Sequence, residues 1–248
     1  LVGEGVRFAN AGDEVSAMAK AAGIPIVVTM GGKPSILSAH PNYCGVVGRY
    51  SAVTANKLLA DADCVLALGT RLGGLATNGY TIPRRDAVLI QVDHEDASFI
   101  GRYQPDLAIN ADIPAVAPAL RMLFEASGAV DSDAWFKACA ASTGGWRSYL
   151  FNQVEQASDA KHLSPLVVID EIGKFANEVT LVADTGYMAA WTGVLFPVER
   201  QNAYFPAVGS LGWALPASIG VQMARKEKVV CITGDGGAGY HLADIETA

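Results

Sequence analysis

Charge is the scarcest ingredient of this 248-residue sequence: Asp, Glu, Lys and Arg together make up 17% of it, against roughly 25% in an average soluble protein. The 25 acidic residues outnumber the 18 basic ones, for a formal net charge of −7. Nucleic-acid binders carry a basic excess, so this balance argues against a phosphate-backbone partner. Long apolar runs are absent too. None approaches the roughly 18 residues of a membrane-spanning helix, and no membrane partner is expected. Cysteine is sparse: Cys44, Cys64, Cys139 and Cys231 lie far apart and form no C-x-x-C pair. Neither disulfides nor structural zinc are expected, and a reducing cytoplasm is the default compartment. Cys64 and Cys231 sit inside apolar runs, where a thiol behaves as a small hydrophobe. His40, His94, His162 and His241 show no metal-ligand spacing and read as solvated or locally bonded. Leu1 begins mid-pattern with no basic n-region and no signal peptide, which reads as a truncated or renumbered start.

Apolar residues, by contrast, make up 51% of the chain, ample material for a buried core. With so little charge left for the surface, some of that surface is expected to face other chains. Short β-branched runs alternate with helix-period segments, the pattern of a parallel α/β architecture. Ile24–Met30, Cys64–Gly69 and Ala87–Asp93 read as buried strands, with helices over Gly12–Ala22 and Val53–Ala62 between them. The loop Gly31–Tyr50 is too long for a minimal crossover and is a candidate functional loop. Ile113–Glu125 closes this part as a helix. Ala126–His162 differs in kind. It carries Trp135, Trp146 and Tyr149, a Gly144-Gly145 break and no strand signal, as a helical linker packed on a domain surface would. A second α/β unit follows: a helix over Leu166–Ala176 announced by Ser164-Pro165, a strand at Val179–Asp184, a helix over Leu215–Ala224 and a strand at Lys228–Thr233. No repeat or low-complexity stretch interrupts this order.

The sharpest chemical signal lies after that last strand, in Thr233-Gly234-Asp235-Gly236-Gly237. A strand delivers a carboxylate to its carboxyl end between glycines that let backbone approach a ligand, and a helix starts there. Glycine amides and a helix N-terminus suit phosphate oxygens; the carboxylate suits a hard cation such as Mg²⁺. Alone, the tripeptide is common and favours a tight turn with the Asp as helix N-cap. Two further segments accompany it: Gly209-Ser210-Leu211-Gly212-Trp213-Ala214-Leu215-Pro216-Ala217-Ser218-Ile219-Gly220-Val221-Gln222, and Asp184-Thr185-Gly186-Tyr187-Met188-Ala189-Ala190-Trp191.

In this order the three segments resemble the diphosphate-binding domain of thiamine diphosphate (ThDP)-dependent enzymes of the acetohydroxyacid (acetolactate) synthase and benzoylformate decarboxylase group. Leu68-Gly69-Thr70-Arg71-Leu72 and Ile90-Gln91-Val92-Asp93, with Ile100-Gly101-Arg102 shortly after, resemble the central domain of the same family. The resemblance covers nearly the whole chain, least securely the linker. It implies a Rossmann-like central domain over 1–127, a helical linker over 128–162 and a truncated doubly wound diphosphate-binding domain over 163–248.

Residue by residue, the resemblance implies that Asp235 is a Mg²⁺ ligand and that Gly234, Gly236 and Gly237 offer backbone to the diphosphate. Gly186, Tyr187 and Met188 line it from the other side. Acetohydroxyacid synthases have Gln-His where Tyr187-Met188 stand, so phosphate contacts from these two are expected to be main-chain. Leu211 takes the place of the bulky residue that props ThDP in its bent conformation, although by itself it reads as ordinary core. Gly209 would offer a carbonyl to the aminopyrimidine, and Ala238 replaces an aromatic often found after the G-D-G turn. The family's Asn-Asn motif and its activating Glu, the latter lent by a partner subunit, have no counterpart in these residues. The segment alone is therefore expected to be catalytically silent, and its parent to be a homo-oligomer, a dimer or tetramer. The implied reaction is cofactor-led decarboxylation of a 2-oxo acid, ending in an aldehyde or, by addition to a second carbonyl, a 2-hydroxy ketone.

In this family the central domain binds FAD in some members, ADP in others, and often nothing. Arg71 and Asp93, at strand carboxyl ends, sit where an adenine nucleotide would lie. Without a G-x-G-x-x-G the plainer reading is preferred: Arg71 caps a turn and Asp93 pairs with Arg102 or Arg84. Two rival functions stay open. One is a non-catalytic central-domain scaffold, which an intact Asp235 turn opposes. The other is a nucleotide-binding oxidoreductase, for which Gly3-x-Gly5 is a poor fingerprint.

Overall fold

A computed structural model describes residues 1–127, 133–158, 161–207 and 209–248. Parts of the expected linker (residues 128–132 and 159–160) and Val208 lie outside the described residues. The chain divides into two compact units, Leu1–Ser148 and Tyr149–Ala248.

The first unit is built on parallel strands β1 (Ile26–Val28), β2 (Tyr43–Val46), β3 (Cys64–Leu68), β4 (Val88–Asp93) and β5 (Leu107–Asn110). β1 pairs with β2, and β4 lies between β3 and β5. A single residue joins the two groups: Val2 bridges in parallel to Val28 on one side and Leu68 on the other. Helices α1 (Glu4–Phe8), α2 (Gly12–Ala22), α3 (Val53–Asp61) and α4 (Ile113–Ser127) connect and flank the strands, and α2 packs against α4. Helix α2 keeps the bounds its apolar spacing predicts. It ends at Gly23, whose φ of +63° is the left-handed C-cap that glycine adopts without a Cβ penalty. The Asn42 amide then donates to Ala19 O and Ile24 O, tying that helix end to the start of β2.

Three readings from sequence change here. The long loop after β1 is partly regular: it holds a one-turn 3₁₀ segment at Lys33–Ser35 and then β2. The Gly144-Gly145 pair breaks nothing, because α5 runs from Asp133 to Ser158 straight through it. Cys139 and Trp146 on its first part pack against the core formed by Val27, Leu59, Val65 and Leu89, and Arg147 donates to Ser38 O at 2.9 Å. Packing of this kind outweighs the helix cost of two glycines. Cys64 is exposed, because it opens β3 at the strand's outer end. Strand β5 gave no sequence signal because it is a mostly exposed edge strand.

The second unit is a parallel three-stranded sheet in the order β7-β6-β8: β6 (Val179–Ala183), β7 (Tyr204–Pro206) and β8 (Lys228–Ile232). The central strand β6 is buried along its whole length, as expected where helices cover both faces. Helix α6 (Pro165–Gly173) starts as its sequence predicts: Ser164 Oγ caps Leu166 N–H, and Pro165 occupies the first turn, where a missing N–H costs nothing. Helices α7 (Tyr187–Leu195), α8 (Ala214–Arg225) and α9 (Asp235–His241) follow the three strands in turn. At the outer end of this sheet, Glu227 accepts from Arg200 at 3.0 Å and from Thr180 Oγ1 at 2.5 Å, and also pairs with Arg225. Hydrogen bonds and guanidinium charges hold its carboxyl below the usual range against the opposing effect of partial burial. Among the described residues no helix is long and apolar enough to cross a membrane.

Candidate functional site

The registers Ala183↔Pro206 and Ala183↔Ile232 bring the carboxyl ends of all three strands of the second sheet side by side. Chain leaves that edge as Asp184-Thr185-Gly186 from β6, Ala207 from β7 and Thr233-Gly234-Asp235 from β8. The crevice beyond the carboxyl ends is where open parallel sheets bind ligands.

Asp184 is fully buried and surrounded by donors. Its Oδ1 accepts the Thr185 N–H at 2.8 Å. Its Oδ2 accepts the Gly212 N–H at 3.0 Å and the Thr233 hydroxyl at 2.7 Å. The Thr185 hydroxyl donates to Ala207 O at 2.7 Å and accepts the Gly209 N–H at 3.0 Å. Three strand exits and the 209–212 loop thus converge on two adjacent side chains. Sequence reading placed this Asp-Thr pair in a motif but gave neither residue a role. An acidic residue at the very end of a buried, mostly apolar strand was the available signal.

Around this anchor stand the residues singled out from the sequence. Gly234 is the N-cap of α9, and Asp235 is the helix's first residue. The Asp is therefore not a capping residue: its exposed carboxylate makes no hydrogen bond or ion pair among the described residues. Gly236 faces open space. Gly237 does not, because a Cβ there would lie 2.3 Å from Asp184 Oδ2 and 2.8 Å from Thr233 Oγ1. Its lack of a side chain serves the contact between α9 and Asp184.

Gly186 has φ +99° and caps α7, leaving the Tyr187 side chain 80% exposed and Met188 half-buried, its carbonyl accepting the Thr192 hydroxyl. Gly209 has φ +109°, and Gly212 has φ +80°; a Cβ on Gly212 would lie 2.7 Å from Tyr240 Cβ and 3.1 Å from Gly237 O in α9. Leu211, between them, is 53% exposed. Among the described residues, apart from chain neighbours and the glycine's own helix, no atom lies within 4 Å of a Cβ placed at Gly186, Gly209, Gly234 or Gly236. A carboxylate without a protein partner and glycine backbone thus stand at the same strand edge. Among the described residues no group of three or more His, Cys, Asp and Glu could hold a metal.

Residues 1–120 match the family of the thiamine pyrophosphate enzyme central domain, and residues 184–248 that of the thiamine pyrophosphate enzyme C-terminal TPP binding domain. The chain belongs to the thiamine pyrophosphate enzyme family. It is 28% identical to the acetolactate synthase large subunit of Cyanidium caldarium over 254 residues, covering 99% of this chain and 42% of that protein. Sulfoacetaldehyde acetyltransferase of Castellaniella defragrans is 29% identical, with 100% of this chain and 45% of the relative covered. Acetolactate synthase of Mycobacterium leprae is 28% identical, at 95% and 38%. The chain therefore spans less than half the length of these relatives.

In the thiamine pyrophosphate enzyme central domain, structure revises the expected ion pairs. Arg71 pairs with Glu95 at 2.6 Å and Arg84 with Asp86 at 3.2 Å. Arg102 lies over the Tyr80 ring. The buried Asp93 accepts the Glu95 N–H at 3.2 Å and lies 3.6 Å from His94 Nδ1. It pairs with neither Arg84 nor Arg102, because backbone and histidine at its own strand exit reach it first. The Gly3-x-Gly5 turn lies tight against Gly69. A Cβ on Gly3 would lie 2.1 Å from Gly69 O, and one on Gly5 2.7 Å from Gly69 Cα. These glycines let the turn after Val2 press against the end of β3.

Proposed function

We propose that the protein containing this chain is a ThDP- and Mg²⁺-dependent carboligase or decarboxylase of 2-oxo acids, acetolactate-synthase-like, working as a homo-oligomer. One observation carries the reading: in a chain of this family, Asp235 presents an uncommitted carboxylate at the carboxyl edge of a parallel sheet, bordered by unobstructed glycine backbone. Asp235 would hold Mg²⁺. The N–H groups of the first turn of α9 have no partner within the helix and, with the Gly186–Met188 backbone, would take the diphosphate oxygens. Leu211 would supply the apolar support beneath the bent cofactor, and Gly209 a carbonyl to its aminopyrimidine.

Bound ThDP supplies an electron sink for bond cleavage next to a 2-oxo acid carbonyl. What this chain contributes is position: a fixed carboxylate, open main-chain donors and an exposed apolar side chain on one edge, arranged before any ligand arrives. FAD or ADP in the central domain has no support in its geometry, since Arg71 is engaged by Glu95 and Asp93 faces its own backbone.

Titration calorimetry of the full-length protein with ThDP and Mg²⁺ tests the reading. Asp235→Ala is expected to abolish Mg²⁺-dependent binding while leaving the folded state intact, because the side chain is exposed. Wild-type affinity in that variant would end the proposal.

A further inference from the structure

Two loops of the second unit have to keep a constant relation if Asp235 and Leu211 are to meet one ligand. The inference below rests on the reading of those two residues given above. Leu211 sits on a loop whose ends are both tied to this pair: Gly212 N–H donates to Asp184 Oδ2, and Gly209 N–H is shared between the Thr185 hydroxyl at 3.0 Å and Ala207 O at 3.1 Å. Asp235 sits two residues beyond Thr233, whose hydroxyl donates to that same Oδ2. The next turn of chain passes so close to this oxygen that only glycine fits at 237.

We infer that Asp184 and Thr185 are the positioning residues of the cofactor site, locking the Leu211 loop and the Asp235 turn to one another so that metal affinity and support of the bound cofactor are coupled. A carboxylate is required at 184 for a reason of hydrogen-bond polarity. Both of its oxygens accept a backbone N–H, Oδ1 from Thr185 and Oδ2 from Gly212. In Asp184→Asn the amide would set an NH₂ group against one of these donors in either orientation, and bonds to a charged acceptor are roughly twice as strong as neutral ones. At 185 the hydroxyl is used twice, donating to Ala207 O and accepting from Gly209. Thr185→Ser keeps both bonds; Thr185→Val loses both at nearly constant shape.

The experiment compares full-length wild type, Asp184→Asn, Thr185→Val and Thr185→Ser by calorimetric titration of Mg²⁺ at saturating ThDP, well below the Tm of each. Outer partners of metal ligands typically change metal affinity by roughly 10–100-fold. That loss is expected for Asp184→Asn and Thr185→Val, with Thr185→Ser restored to near the wild-type value. Coupling is read separately. Leu211→Ala should lower kcat in wild type and have a smaller effect in the Asp184→Asn background, where the loop is already released. Unchanged Mg²⁺ affinity in Asp184→Asn and Thr185→Val, with only Tm reduced, would overturn the inference and leave the pair as fold residues. Failure of the wild type itself to bind ThDP and Mg²⁺ would instead overturn the underlying assignment of Asp235, and this inference with it.

Discussion

Gly237 and Asp184 touch through a missing side chain: a Cβ on the glycine would lie 2.3 Å from the carboxylate oxygen that also receives Gly212 and Thr233. The third residue of α9 is thereby pinned to the end of β6. Gly237→Ala must push α9 away or displace the carboxylate. We expect a loss of about 1–3 kcal/mol in folding stability, the usual cost of overpacking, together with weaker Mg²⁺-dependent ThDP binding. Gly236→Ala, with open space at its Cβ, should leave stability nearly unchanged. Urea denaturation of both variants checks the contrast, and equal stability would show that α9 is not held by this contact.

Leu211 separates anchoring from activation. Its side chain is exposed, so Leu211→Ala removes little folding free energy. The diphosphate anchor at Asp235 stays in place while the apolar prop is shortened. The expected result is a kcat reduced by roughly tenfold or more with ThDP affinity changed much less, the pattern of an interaction made mainly on the way to the transition state. Steady-state kinetics at saturating cofactor, alongside calorimetry, gives both numbers; unchanged turnover would remove Leu211 from the site.

Helix α5 carries two glycines that nothing requires. Among the described residues, and apart from the helix's own backbone, neither Gly144 nor Gly145 has a neighbour within 4 Å of a built Cβ, and neither has positive φ. Alanine at each position should stabilise the protein by about 0.5–1 kcal/mol through helix propensity. A fall in Tm for the double variant Gly144→Ala/Gly145→Ala would mean that a close approach occupies that face.

Lys33 is enclosed by the first unit, and burial pulls its ammonium from 10.5 down to about 7. Unfolded, the group titrates near its ordinary value, about 10.4. Between roughly pH 7 and 10 the unfolded chain therefore holds more protons at this site than the folded one, and the contribution to stability rises with pH. Below about pH 7 both states are protonated and the folded state bears the full cost of the buried charge. Thiols such as Cys139, pushed up to about 11 by burial, act the other way as they ionise in the unfolded chain. The useful quantity is thus the difference between wild type and Lys33→Met. That difference should move in favour of wild type as pH is raised from 7 to 9.5, read by denaturant midpoints. A flat difference would place the Lys33 pKa near its ordinary value.

The sequence by itself determined the alternation of strands and helices, the limits of α2, the Ser164-Pro165 start of α6 and the identity of the Asp235 turn. Each is written in local residue order: apolar spacing, a capping side chain, or glycines around one acid. Short strands escaped it. Three or four residues of β2, β5 and β7 carry too little periodicity, and pairing with a neighbour is what makes them strands. Gly144-Gly145 misled for the opposite reason, since a local breaker signal lost to the packing of Cys139 and Trp146. Asp93 paired at its own strand exit rather than with a distant arginine. Which residues hold the site together was decided only by tertiary structure. Asp184, Thr185, Gly212, Thr233 and Gly237 are spread over 54 positions of chain, and no local pattern links them. They meet because the registers of β6 with β7 and β8 place three strand ends level, where one buried carboxylate must find its donors.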